Sequence, residues 1–129
     1  MTNFDIDGYA YSLFSRVDEA KLLNHEKIDF GEWVAKPKMC HHNVSKLHLF
    51  NNSYIPIRGW LYFDLPGLNY VKFVAHSAIR TPDGEVVDIT PSDSLRSYPF
   101  LDGNLSEKQY TYVVEELGFR EVNYTVNIT

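Results

Sequence analysis

Two strand-like segments joined by a turn of fixed chemistry constrain this chain most. Tyr70–Arg80 reads YVKFVAHSAIR, the longest strand pattern in the sequence, and residues 85–90 read EVVDIT, a return strand stopped by Pro91. Between them stands Thr81-Pro82-Asp83-Gly84-Glu85. Proline presets φ for the first central position of a type I turn, and glycine suits the left-handed site that follows. With Pro82, Asp83 and Gly84 as a three-residue loop, Thr81 pairs with Glu85, Ala78 with Asp88 and His76 with Thr90. His76 and Asp88 then share one face as diagonal neighbours, with Cα atoms roughly 7–8 Å apart. The opposite face carries Val71, Phe73, Ala75 and Ile79, matched by Val87 and Ile89, and reads as the core side. A slip of one residue would put His76 and Asp88 on opposite faces.

The other feature with chemical content is Cys40–Phe50, CHHNVSKLHLF, which opens with the only cysteine of the chain. Val44, Leu47 and Phe50 recur at helical spacing, Pro37 supplies a turn upstream, and Asn51-Asn52-Ser53 competes for backbone bonds and ends the helix. Cys40 therefore falls at a helix N-terminus. Unpaired backbone N–H groups there favour a thiolate and can receive an oxyanion. This helix is expected to pack against the His76–Asp88 face of the sheet.

The remaining segments read more coarsely. Residues 1–8 are a lead-in, and residues 9–24 read as a helix through Tyr11, Phe14, Val17, Leu22 and Leu23. Residues 28–35, with Gly31, Phe30 and Trp33, are irregular and read as the wall or floor of a cleft. Pro56, between Ile55 and Ile57, suggests an edge position. Trp60-Leu61-Tyr62-Phe63 is a strand closed by Pro66-Gly67, with Trp60 in the core. A loop holds Ser92, Asp93, Ser94 and Pro99, and residues 110–115 and 122–128 read as two further strands. The order is helix, helix, then antiparallel sheet, an α+β class. At 129 residues the chain is expected to form one domain, residues 1–129, with a single core.

Thiol, imidazole and carboxylate in this arrangement make a Cys40-His76-Asp88 triad. His76 takes the thiol proton and later protonates the leaving group, and Asp88 fixes the ring tautomer and stabilises the imidazolium. The oxyanion would meet the Cys40 N–H and one further donor, for which Asn24, His25, Trp33 and Asn43 are candidates. His41 and His42 are adjacent and cannot face the same way on a helix, so one of them borders the cleft. Arg58 and Arg80 receive no role.

Ala75-His76-Ser77-Ala78, Pro82-Asp83-Gly84 and Val87-Asp88-Ile89-Thr90-Pro91, preceded by the cysteine helix, resemble the papain-like cysteine hydrolases. The resemblance is to the transglutaminase-like and NlpC/P60-like branches and covers roughly residues 37–91. It implies a papain-like/transglutaminase-like core with N-terminal helices packed on an antiparallel β-sheet. It also implies hydrolysis of an amide, isopeptide or related acyl bond through a thioester. This chain carries Ala78 where the family often has a tryptophan, and His41 and His42 where an aromatic or small residues commonly follow the cysteine.

Two other readings use the same atoms. Cys40, His42, His76 and Asp88 include ligand types suited to zinc. Alternatively Cys40 is a small buried hydrophobe, His76 a structural histidine and Asp88 a turn cap or partner of Lys72. The domain would then be a non-enzymatic interaction module whose nine tyrosines and net charge of −5 mark a binding surface. The acidic balance argues against nucleic acid as a partner. No apolar run reaches bilayer length, one cysteine makes no internal disulfide, and the N-terminus lacks a basic export segment. The expectation is a cytoplasmic protein with no membrane partner and no cofactor, acting on a peptide, isopeptide or small amide substrate.

Overall fold

The computed structural model describes residues 4–65, 67–91 and 98–126. Strands β1 (Ile55–Asp64) and β2 (Tyr70–Arg80) pair antiparallel along their whole length, from Ile55 opposite Arg80 to Asp64 opposite Val71. Their aromatic and β-branched residues suit a pleated, half-buried surface. β3 (Val86–Val87) and β5 (Glu121–Thr125) share the other edge of β2. β3 meets Ile79 and Arg80, whereas β5 meets residues 70–74. β4 (Phe100–Asp102) adds to β1 at Gly59, Trp60 and Leu61. A Cβ on Gly59 would stand 2.1 Å from the Leu101 carbonyl oxygen, so that close approach requires glycine. At Pro56 only β2 pairs with β1, the edge environment its missing N–H demands.

The turn forms as the sequence indicates. Thr81 N–H donates to the Glu85 carbonyl at 2.8 Å, Gly84 N–H donates to the Thr81 carbonyl at 2.9 Å, and Gly84 has φ of 92°. Ile79 opposite Val87 continues the expected register. The ladder is shorter than expected, however, because the chain peels away after Val87. Asp88 pairs instead with the extended segment around His25, taking Glu26 N–H on its carbonyl and giving its own N–H to Asn24.

The α-helices of the described residues serve one face of the curled antiparallel sheet. α1 (Ile6–Ser15), capped by the Asp5 carboxylate on Gly8 N–H, buries Ala10 and Leu13 with Trp60, Val71, Phe73, Leu101 and Val122. α2 (Cys40–Phe50) buries Val44 and Leu47 against Ile79, Val87 and Ile89. α3 (Glu107–Thr111) runs into a wide π-type turn at Tyr112–Glu116 and contributes Tyr110 and Val114. Phe73 and Ile79 alternate with His76 along β2, so α2 rests on the face opposite His76. That corrects the expected packing of α2 on the His76–Asp88 face. The more apolar side of the strand won.

Other readings are corrected too. The first helix begins at Ile6 and ends at Ser15, followed by a short 3₁₀ turn at Val17–Glu19, and Tyr11 and Leu22 are exposed. Residues 110–115 are helical, because Ser106 and Gln109 form a reciprocal capping box and Tyr110, Val113 and Val114 all point inward. β4 was not expected at all. Pro66, the loop residues Ser92, Asp93 and Ser94, and residues 127–128 of the expected last strand lie outside the described residues.

One buried side chain ties α2 to its surroundings. The Asn43 amide nitrogen donates to the Lys36 carbonyl and to Thr90 Oγ1, both at 2.9 Å, and its oxygen accepts from Lys36 N–H at 3.1 Å. Asn43 is fully buried. Asn43→Leu keeps the volume and strands these partners, so it should lower unfolding free energy by about 2–4 kcal/mol in urea denaturation. A change under about 0.5 kcal/mol would show that the Lys36–Thr90 tie contributes nothing.

Candidate active site

Cys40 is the first residue of α2. Met39 before it supplies no side-chain cap, and the first helical bond is Asn43 N–H to the Met39 carbonyl at 2.8 Å. The N–H groups of the first turn are therefore not consumed by a cap. The helix starts beside the stretch of β2 that neither β3 nor β5 covers, where Ala75 N–H bonds only to the Arg120 carbonyl. Consecutive residues of the helix reach consecutive residues of the strand. The Cys40 thiol lies close enough to His76 for each to shift the other's titration, and His41 Nδ1 is 2.5 Å from Ser77 Oγ. Neighbouring strand residues point to opposite faces. The helix start thus straddles the open edge of β2, and Cys40 meets His76 although the body of α2 lies on the other face.

Behind the imidazole stands Asp88. His76 Nε2 is 2.8 Å from Asp88 Oδ2, and Oδ1 of the same carboxylate accepts Thr90 N–H at 2.9 Å. An ionised carboxylate only accepts, so Nε2 carries a hydrogen and Nδ1 is left as the basic nitrogen. Phe100 packs edge-on against the ring at 6.1 Å. The His76 and Asp88 side chains are 12% and 25% exposed, dry enough to strengthen their attraction while leaving a way in.

Titration behaviour follows from these contacts. Burial pushes the Cys40 thiol up, but hydrogen bonding to His41 and His76 and the positive charge of His76 outweigh it, and the pKa falls from an ordinary 9.0 to about 5. Burial pushes His76 down. The hydrogen bonds and charges of Asp88 and Cys40 outweigh that, and its pKa rises from 6.5 to about 9. Burial raises Asp88, yet the hydrogen bond and charge of His76, the Thr90 N–H and the charge of His25 hold it below the usual carboxylate range. At neutral pH the favoured state is thiolate, imidazolium and carboxylate, an alternating chain of charge.

Beside this chain lies a cleft of about 240 Å³ between α2 and α3, with His41, His42, Ser45, Arg58, Tyr110 and Glu115 in its walls. Both His41 and His42 border it. Arg58, without a role in the sequence reading, is the polar hub of this region. Its Nε donates to both Glu107 oxygens at 3.1 and 2.9 Å, Nη1 to the His41 carbonyl at 3.2 Å and Ser77 Oγ at 2.9 Å, and Nη2 to Ser45 Oγ at 2.8 Å. Nothing in the spacing from Arg58 to Glu107 announces this pairing.

The four candidates for a second oxyanion donor fall elsewhere. The Asn43 amide is saturated by Lys36 and Thr90. Trp33 stacks on Phe30 at 4.7 Å, and Phe30 on Phe50 at 4.2 Å, so this segment pads the end of α2 rather than walling the cleft. Asn24 and His25 lie along Asp88, on the far side of His76. Trp60 is fully buried, its Nε1 donating to Tyr9 Oη at 2.8 Å. Among the described residues no group of three or more His, Cys, Asp or Glu side chains is arranged to hold a metal ion, so Cys40, His42, His76 and Asp88 form no zinc cage there. No helix in the described residues is long and apolar enough to cross a membrane.

Comparison with protein-family models, with curated proteins and with solved structures finds no match to this chain.

Asp88→Asn removes the charge that holds the imidazolium. His76 should then titrate lower, and with its positive charge weakened the Cys40 thiol should titrate higher. The check is the pH dependence of iodoacetamide alkylation at Cys40, whose midpoint should move up from about 5 toward 9.0. An unmoved midpoint would show that Asp88 is not coupled to the thiol.

Proposed function

We propose that this protein is a cysteine hydrolase with a papain-like, transglutaminase-like core, cleaving an amide, isopeptide or related acyl bond through Cys40, His76 and Asp88. The observation that carries the reading is the 2.8 Å contact of His76 Nε2 with Asp88, beside a half-buried Cys40 whose titration is coupled to His76 and drawn down to about 5. A structural histidine has no need of a cysteine on one side and a carboxylate on the other. An interaction module has no need of an acidic thiol at an open strand edge. Perturbed titration of a coupled set beside a cleft is the usual signature of chemistry.

The reaction runs as follows. The Cys40 thiolate attacks the carbonyl carbon, and the carbonyl π pair moves onto oxygen. The tetrahedral intermediate collapses, the carbon–nitrogen bond breaks, and the amine leaves with the proton of the His76 imidazolium. His76 then takes a proton from water, which attacks the thioester, and the thiolate leaves. Asp88 keeps the ring oriented throughout and balances its charge. An amine in place of water would give transfer by the same steps. The cleft admits a side chain or a short extended segment rather than a folded surface, so the favoured substrates are a peptide tail, an isopeptide or a glutamine side chain.

Intact mass after incubation with short acyl esters and amides tests the proposal. Wild type should gain an acyl mass on Cys40, and Cys40→Ala should gain none. His76→Ala should acylate more slowly by on the order of 10²–10⁴-fold. Asp88→Asn should fall between the two. Equal substrate consumption by all variants would end the enzymatic reading. A dead His76→Ala beside an unimpaired Asp88→Asn would reduce the set to a dyad.

A further inference from the structure

We propose that His41 is a further catalytic residue, whose Nε2–H, fixed in one tautomer by a hydrogen-bond relay from Arg58 through Ser77, donates to the oxyanion formed at Cys40. The inference rests on the hydrolase reading above and supplies the second donor which that chemistry requires.

The relay has a direction. Ser77 is fully buried, and its Oγ has two partners among the described residues, Arg58 Nη1 at 2.9 Å and His41 Nδ1 at 2.5 Å. A guanidinium only donates, so Arg58 gives a hydrogen to Ser77 Oγ. The serine's own hydrogen then has one acceptor within reach, the lone pair of His41 Nδ1. A His41 ring that accepts at Nδ1 carries its hydrogen on Nε2. Reversing the relay would leave the buried Ser77 hydroxyl without an acceptor, at a cost that native structures rarely bear. Serine at position 77 thus writes the tautomer, and the always-charged Arg58 writes the serine.

The ring is also held in place. Arg58 Nη1 grips the His41 carbonyl, Nη2 grips Ser45 one turn along α2, and Glu107 clamps the guanidinium from α3. Tyr110 packs edge-on against the imidazole at 5.8 Å, with its hydroxyl donating to the Gly59 carbonyl at 2.8 Å. The Cys40 sulfur lies close enough to the His41 ring, the next residue along the helix, for that ring to help lower the thiol's pKa. With Nδ1 engaged by Ser77, the hydrogen that can face the thiolate is the one on Nε2. His41 also walls the neighbouring cleft, so its ring stands between the thiol and the space open to a substrate. It joins the backbone N–H of Cys40 to make a two-donor oxyanion site.

Two reactions at the same sulfur separate this role from a general effect on the thiol. Alkylation by iodoacetamide builds no oxyanion, whereas acylation by p-nitrophenyl acetate does. His41→Phe keeps a ring against Tyr110 but removes the N–H. Its acylation rate should fall on the order of 10²–10³-fold, with a much smaller loss in alkylation. Equal losses in both reactions, or no loss in acylation, would overturn the role of His41 and leave the Cys40-His76-Asp88 reading standing. Wild-type alkylation that is indifferent to His76→Ala, with no acylation, would bring down the hydrolase reading and this inference with it. Nitrogen-15 NMR of the histidine rings reads the relay directly in the folded wild type. His41 should hold its hydrogen on Nε2, and Ser77→Ala should release it into a mixture of tautomers. A His41 hydrogen resident on Nδ1 in wild type would overturn the proposal whatever the variants do.

Discussion

β2 is paired with β1 along its whole length, but its other edge is covered in two pieces, by β3 at Ile79–Arg80 and by β5 at residues 70–74. The interval between them is where the structure does something unusual. A continuous third strand there would have used the backbone groups of residues 75–78 and shut out the helix start. The interruption lets α2 lie on the apolar face with Val44 and Leu47 while its first two residues reach His76 on one face of β2 and Ser77 on the other. Apolar burial sets where the helix body rests, and the missing ladder sets where its N-terminus can go.

Polar ties fix that N-terminus from two sides. Asn43 holds the chain before α2, through Lys36, to the residue two beyond Asp88. Arg58 holds the first turn to β1, β2 and α3 at once. Asn43 is fully buried and the Arg58 side chain largely so, and the described residues contain no buried side-chain nitrogen or oxygen without a hydrogen bond. A half-satisfied network would destabilise the fold more than an apolar core in its place, so a complete one here is a means of positioning. The start of α2 and the segment that carries Asp88 are thereby held in place by groups other than the Cys40, His76 and Asp88 side chains.

Some of this was legible in the sequence. The bounds of α2 and β2 follow from local chemistry: Pro37 upstream and the Asn51-Asn52-Ser53 run for one, and the Pro82-Asp83-Gly84 turn for the other. That turn also fixes the register, and the register puts His76 diagonal to Asp88. Residues 110–115 misled because tyrosine and two valines favour strands. The capping pair Ser106 and Gln109 was the available signal for helix. β4 is three residues long and forms only because Gly59 lets it close, which no window of sequence conveys. The position of α2 on the face away from His76 depends on where β3 and β5 stop, and the work of Arg58 depends on α3 being a helix. Those are properties of the assembled sheet. His41 was readable as a cleft neighbour but not as a tautomer, because Ser77 and Arg58 had first to be placed.

The central claim is that the Cys40 thiol exists as a thiolate at neutral pH because His76, backed by Asp88, and His41 surround it with hydrogen-bond donors. The most direct measurement is the ultraviolet thiolate absorbance of the native protein as a function of pH, taken as a difference from Cys40→Ser. The account predicts a single-thiolate signal already full at pH 7, with a midpoint near 5. A midpoint in the ordinary thiol range, about 8–9, would contradict it.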